Sequence, residues 1–358
     1  VVTLGENIMR ASIVLPVAEW RQCGPAATAA EAAGFDSVQA NEIAHEPFTP
    51  LAFAALATQR VQLITSVAIA FPRSPMIVAN HSWDLAKHSG GRFVLGLGTQ
   101  VRAHNERRFS TPWVAPAERM GEYVESLRAI FRCWETGEKL AYEGKHYRFS
   151  LMNKEFSPGP NRQPLPPITI AAVGPLMLRN AARLCDGVRL HGFATRAYIE
   201  QQVQPVLDKH LAEVGRARAN YEVSGGGFIA TGGTPEEVRE AAEKIRYRVA
   251  WYASTPAYRT VLEPHGLVPL GVQLSELARK GAFEGIAKLI PDEVLHLFAA
   301  IGNYDQIGER IAARFGGLVD TVTIPFPAGA PAGAMAQVVR DVQSIPSHFT
   351  GFATERFG

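Results

Sequence analysis

The sequence predicts an α/β fold on a parallel sheet, and three observations carry that prediction. Strand and helix signals alternate along the whole 358-residue chain, the pattern of successive βαβ units. About eight such units fit a (β/α)8 barrel, although alternation alone also allows a doubly wound sheet. The third observation is the run Gly90-Gly91-Arg92-Phe93-Val94-Leu95-Gly96-Leu97-Gly98-Thr99. Its first glycines suit a left-handed helix stop, and Phe93 to Leu97 is short and apolar enough for a strand buried on both faces. Gly96 and Gly98 leave bare backbone at the strand end, where a flat ligand has room to approach.

The elements follow in order. Residues 16–33 carry apolar side chains at helical spacing and stop at Gly34; 36–41 reads as a strand, 50–59 as a short helix and 61–70 as an apolar, β-branched strand. Pro75 suits the first turn of a helix over 75–89. A long amphipathic helix over 117–136 precedes a hairpin over 139–149 turning at Glu143-Gly144, and the proline-rich stretch 150–167 reads as a surface excursion. Strands over 168–173, 186–191 and 221–230 alternate with helices over 175–184, 198–214 and 235–252. The rhythm breaks over 253–290, read as an insertion, and returns with a helix over 305–314, a strand over 320–326 and a helix over 334–344. The chain starts at Val1 rather than Met, and no sequence signal places a strand ahead of Pro16.

Composition sets bounds. A hydrophobic content of 47% supports a large core, and a net charge of +2 offers no basic field for nucleic acid or an anionic membrane. Cys23, Cys133 and Cys185 are widely spaced and odd in number, which fits a reducing, cytoplasmic setting without a disulfide framework or a metal site. Neither an apolar run of about 18 residues nor a secretory signal is visible. No Gly-x-Ser-x-Gly elbow or His-Glu-x-x-His pair occurs, and Gly225-Gly226-Gly227 runs on into Phe228-Ile229 as a strand, unlike a dinucleotide fingerprint. The chain is expected to act on a small molecule, as a homodimer, without nucleic-acid or membrane partners.

Five segments carry a family resemblance: Ala33-Gly34-Phe35-Asp36-Ser37-Val38; Thr65-Ser66-Val67 with Pro72 and Pro75; the run from Gly90 to Thr99; the helix and hairpin from Arg119 to Phe149, with Trp134-Glu135-Thr136-Gly137-Glu138 and Tyr142-Glu143-Gly144-Lys145-His146-Tyr147; and Ala171-Ala172-Val173-Gly174-Pro175 followed by Asp186-Gly187. In order and spacing they resemble the luciferase-like flavin and deazaflavin oxidoreductases, over residues 16–327, and favour the branch that uses coenzyme F420 over the branch that uses FMN. The resemblance decides for the barrel: one (β/α)8 TIM-barrel domain of the bacterial-luciferase type over 1–358, with insertions near 138–167 and 253–290. It implies an F420-dependent oxidoreductase passing a hydride between the deazaflavin and a small, hydrophobic organic substrate. An FMN-dependent monooxygenase and a non-catalytic flavin or deazaflavin binding protein are the alternatives.

Barrel active sites sit at the C-terminal ends of the strands, and the resemblance supplies roles there. Ser66-Val67 matches a bulge with a non-proline cis peptide behind the ring, and Gly98 and Thr99 end the next strand. Val173, Gly174, Pro175, Leu176 and Met177 match a strand-to-helix turn that holds phosphate, favourable because first-turn amides and the helix dipole face the anion. Glu42 stands where deazaflavin enzymes carry a ring-contacting Asp; the following residue, often a His that moves a proton, is Ile43 here, so Glu42 and His45 are the candidate proton carriers. Val101 stands where some relatives place a Glu acid, and the two departures at Ile43 and Val101 together argue against sugar-phosphate dehydrogenase chemistry. His104 falls on a position where relatives hold the cofactor with Asn. Arg102, Arg107 and Arg108 either receive the polyglutamate tail of F420 or form a solvated basic loop. His191 ends a strand as a substrate contact or a structural hydrogen-bonding group, and Trp113, with Phe71 and Tyr252, points to a hydrophobic substrate.

Overall fold

The computed structural model describes residues 7–281 and 285–353. Eight wall positions close into a parallel barrel: β1 (Arg10–Val14), β2 (Ser37–Ala40), β3 (Gln62–Thr65, resuming at Ala68–Ile69), β4 (Phe93–Gly98), β5 (Ile168–Ala172), β6 (Gly187–Leu190), β7 (Glu222–Gly225) and β8 (Thr321–Thr323). β1 pairs with β2 on one side and β8 on the other, and β3 with β4, so the wall has no free edge. Around it pack α1 (Trp20–Ala32), α2 (Phe48–Ala57), α3 (Pro75–Ser89), α4 (Pro116–Thr136), α5 (Pro175–Leu184), α6 (Gln204–Glu213), α7 (Ile307–Phe315) and α8 (Ala332–Gln343). The expected domain limits, 1 and 358, and part of the expected insertion at 253–290 lie outside the described residues.

Where local chemistry is strong, the elements fall as their sequence predicts. α3 starts on Pro75 after a Ser74 cap and stops at Gly90, which is left-handed at φ +68°. The 139–149 hairpin pairs Tyr142–Glu143 with Arg148–Phe149, and Glu122 of α4 binds its turn by accepting from the N–H groups of Lys145, His146 and Tyr147. A Cβ on Gly144 would lie 2.4 Å from that carboxylate, so the turn needs glycine.

Several elements differ, each for a physical reason. The 61–70 strand is interrupted at Ser66–Val67, whose peptide is cis. The register Ile64↔Val94 becomes Ala68↔Leu97 beyond it, so β3 spends one more residue than β4 over that stretch, which is a bulge. The 221–230 strand is two strands. Gly225 and Gly226 take φ near +86° and +85°, and the chain leaves the barrel. Phe228–Gly232 then pairs with Ala299–Asn303 in a separate two-stranded sheet. That partner strand and the helix Asp292–Phe298 before it carry no distinct sequence signal. The helix expected at 198–214 begins at Arg196 and passes through a wide π turn, Ile199–Val203, ahead of Pro205, whose missing N–H such a turn absorbs. The basic stretch after β4 is a short helix, Arg102–Arg107, and β1 fills the place that the sequence left unassigned.

The barrel interior is polar. Arg189 of β6 donates to Thr169 (2.8 Å), Ser224 (3.2 Å) and the Glu222 carboxylate (3.2 Å), while Thr321 donates to the other Glu222 oxygen at 2.7 Å. Burial lowers the Arg189 guanidinium from its ordinary value, and Glu222 opposes that shift. Gln39 bonds Ser12 and Thr323 across the same interior. The apolar core lies outside the wall, with Trp83 of α3 against Phe131 and Trp134 of α4.

Candidate active site

β2 delivers Asn41 and Glu42 to the mouth. Both Glu42 oxygens are taken: Arg73 grips them with two N–H groups at 2.8 and 2.9 Å, and the Ile69 N–H donates to one at 2.7 Å. The carboxylate is thus desolvated but fully compensated, and it ties the end of β2 to the resumed half of β3. Arg73 has no motif of its own in the sequence. His45 is exposed on the following loop, where Glu46 caps α2 by accepting from the Phe48 and Thr49 N–H groups.

At the β3 and β4 ends, the space left by the glycines is occupied by the protein. A Cβ on Gly96 would lie 1.9 Å from the Thr65 carbonyl oxygen and 2.9 Å from Arg189 Nε; one on Gly98 would lie 2.6 Å from Val67 Cγ2. The bare backbone therefore admits Arg189 and Val67 on the sides where a Cβ would stand. Beyond Thr99, whose hydroxyl bonds the Gln100 carbonyl, the short helix Arg102–Arg107 exposes His104 and buries Asn105. Asn105 Nδ2 donates to the Thr99 and Val101 carbonyls, which leaves its Oδ1 without a partner; Asn41 Oδ1 is likewise buried and unpartnered. His104 holds the position matched to the relatives' Asn, and the buried amide of this chain is one residue on, at Asn105. Arg108 closes this helix over the β2 loop by donating to the Ile43 carbonyl at 2.6 Å, while Arg102 pairs with Glu106.

At the β5 end, Val173 accepts from the Tyr198 hydroxyl, Gly174 is the N-cap of α5, and Pro175 takes its first turn. A Cβ on Gly174 would meet nothing within 4 Å. This glycine therefore faces open space beside first-turn amides that include Leu176. Leu176 itself is exposed and Met177 half-buried. Around the mouth, Val14 at the end of β1, Ile43 after β2, Val101 after β4 and Leu176 after β5 are 40%, 73%, 44% and 58% exposed. Apolar side chains held in water at four of the eight strand ends mark a surface that a ligand covers. Trp113 sits on the loop before α4, half-buried, edge-on to Phe71 at 6.0 Å.

β6 ends in His191. Its Nδ1 accepts from the Phe193 N–H at 2.9 Å, and its ring packs against Tyr252 (4.4 Å) and Tyr258 (4.9 Å). Burial pulls its pKa down to about 4, so the ring is neutral near pH 7. Two cavities of about 470 and 220 Å³, both reaching His348, lie away from these strand ends. Glu118, Glu122 and His146 stand close enough to share a cation. The Lys145 ammonium already lies 3.1 Å from Glu118, and Glu122 is committed to the hairpin.

Comparison with known proteins agrees with the fold. The model of the luciferase-like monooxygenase family matches residues 6–321. An uncharacterized protein of Mycobacterium tuberculosis is 44% identical over 303 residues, 85% of this chain and 89% of its own. The 5,10-methylenetetrahydromethanopterin reductase of Archaeoglobus fulgidus is 30% identical over 269 residues, 74% of this chain and 76% of its own. The coenzyme F420-dependent tetrahydromethanopterin reductase of Methanopyrus kandleri superposes with a TM-score of 0.75 at 20% identity, covering 94% of this chain and 98% of that one. No helix among the described residues is long and apolar enough to cross a membrane.

Proposed function

This chain belongs to the luciferase-like monooxygenase family and is an oxidoreductase, and on that premise we propose that its cofactor is F420 and its substrate a small, hydrophobic organic molecule. The observation that carries the reading is the apolar rim at the strand ends, flanked by the open Gly174 turn. The residues present fit a deazaflavin. The Oδ1 atoms of Asn41 and Asn105, buried and without a partner, would accept from the N–H edge of such a ring, and the amides beginning at Gly174 would hold its phosphate. When bound, F420 supplies two-electron hydride transfer. The chain's part is to orient the reacting partners and exclude water. Glu42 acts in this reading by fixing the β2 and β3 ends through Arg73 and Ile69, and Arg107, exposed and without an ion-pair partner among the described residues, offers a cation for an acidic tail. Cytoplasmic placement is part of the proposal, supported by three buried, free thiols. Titration with F420 and FMN tests the reading; preferential FMN binding favours the monooxygenase alternative.

Gly174→Val should fold normally, because nothing in the protein occupies the space that its side chain enters. Its F420 affinity, measured by fluorescence, should fall at least tenfold, about 1.4 kcal/mol. Unchanged affinity in the folded variant would place the phosphate elsewhere.

A homodimer is also proposed. Neighbouring α1 and α2 expose Trp20, Phe53 and Leu56, with Leu56 76% exposed and the two rings 6.0 Å apart, a patch that a second copy would cover. Sedimentation should show a dimer for the parent and a monomer for Leu56→Glu. A monomeric parent would refute the assignment.

A further inference from the structure

The structure assigns a substrate class to the β6 end: we propose that His191 presents its Nε2–H to the acceptor oxygen of a flat, neutral carbonyl compound lodged among Tyr252, Tyr258 and Phe228. The inference rests on the oxidoreductase reading above and goes on to name what the site receives. Three observations support it. First, the tautomer is determined. The Phe193 N–H occupies Nδ1, so the proton of the neutral ring resides on Nε2. Second, that donor is unused. No described residue accepts from Nε2, and the atom is not fully enclosed, His191 itself being partly exposed.

Third, the walls are aromatic. Tyr252 and Tyr258 lie 4.4 and 4.9 Å from the imidazole, and Phe228 stacks on Tyr252 at 6.5 Å, all three half-exposed. Among the described residues, those two tyrosines are the titratable groups in ring contact with it. Burial holds Tyr258 up to about 12 and His191 down to about 4, so neither changes charge between pH 5 and 8. A neutral donor fixed in an apolar niche recognises an acceptor atom and penalises an isostere that lacks one. Its hydrogen bond strengthens as negative charge develops on a carbonyl oxygen that is being reduced.

The test compares acetophenone with α-methylstyrene, which has the same shape but a carbon in place of the carbonyl oxygen. Nitrogen-15 NMR of histidine-labelled protein reads the ring directly. The expected spectrum has Nε2 protonated and Nδ1 bare from pH 5.5 to 8, with an Nε2–H resonance that shifts saturably on adding acetophenone and stays still with α-methylstyrene. His191→Phe keeps the ring packing and should lower acetophenone affinity at least tenfold. His191→Gln, which retains an N–H, should recover part of it, and α-methylstyrene should bind all three proteins alike. Equal responses to the two probes, no saturable shift with acetophenone up to its solubility limit, or unchanged affinity in His191→Phe would overturn the assignment. F420 titration of the same proteins keeps the two readings apart. Loss of F420 binding by the parent would strike the cofactor proposal while the acetophenone arm still reads His191.

Discussion

Arg189→Met is expected to destabilise the barrel by about 3–5 kcal/mol, or to prevent folding, because it leaves a carboxylate buried without its cation. The Arg189 and Glu222 side chains are 6% and 1% exposed inside the wall. The guanidinium also satisfies Thr169 and Ser224, on the strands either side of β6. Met fills similar volume and removes all three donors. Urea unfolding of Arg189→Met beside the double variant Arg189→Met/Glu222→Leu separates charge from packing. The double variant should recover much of the loss, since a buried ion pair replaced by apolar side chains costs far less than half a pair. A single variant within about 1 kcal/mol of the parent would mean that water reaches Glu222 and that the interior is wetter than its burial indicates.

Glu42→Gln should lower F420 affinity roughly tenfold or more while leaving the hydride-transfer rate at saturating cofactor within a few-fold of the parent. Gln keeps the shape of the side chain, but its amide turns a donor toward Arg73, whose guanidinium has only donors to offer. The Arg73 clamp loosens, and with it the Ile69 N–H that fixes the resumed part of β3. Single-turnover kinetics distinguish this positioning role from proton transfer, which predicts a rate loss on the order of 10²–10⁴ with binding kept. His45→Ala, on an exposed loop position, should behave like the parent in both measurements.

Much of the fold was legible because its punctuation is local. Pro75, Gly90, Pro175 and Gly137 act through their own dihedral preferences, and the helices they bound start or stop there. Elements set by distant contacts were not legible. Ala299–Asn303 is a strand because Phe228–Gly232 lies beside it, and Phe228 leaves the barrel because two consecutive glycines turn left-handed. The site divides in the same way. Gly174 and His191 stand at strand ends that apolar patterning locates. Arg73 and Asn105 needed the tertiary structure, the first because it acts across 31 positions on Glu42 and the second because only the helix Arg102–Arg107 shows which side faces inward. Gly96 and Gly98 show the converse, since a glycine signals close approach without naming what approaches, and here it is Arg189 and Val67.

Titration of the purified protein with F420 and with FMN, followed by ring fluorescence, tests the central claim most directly. The expected result is saturable F420 binding with a Kd in the micromolar range or tighter, and FMN binding at least about tenfold weaker, about 1.4 kcal/mol. Equal affinity for the two, or FMN co-purifying in stoichiometric amount, would contradict it.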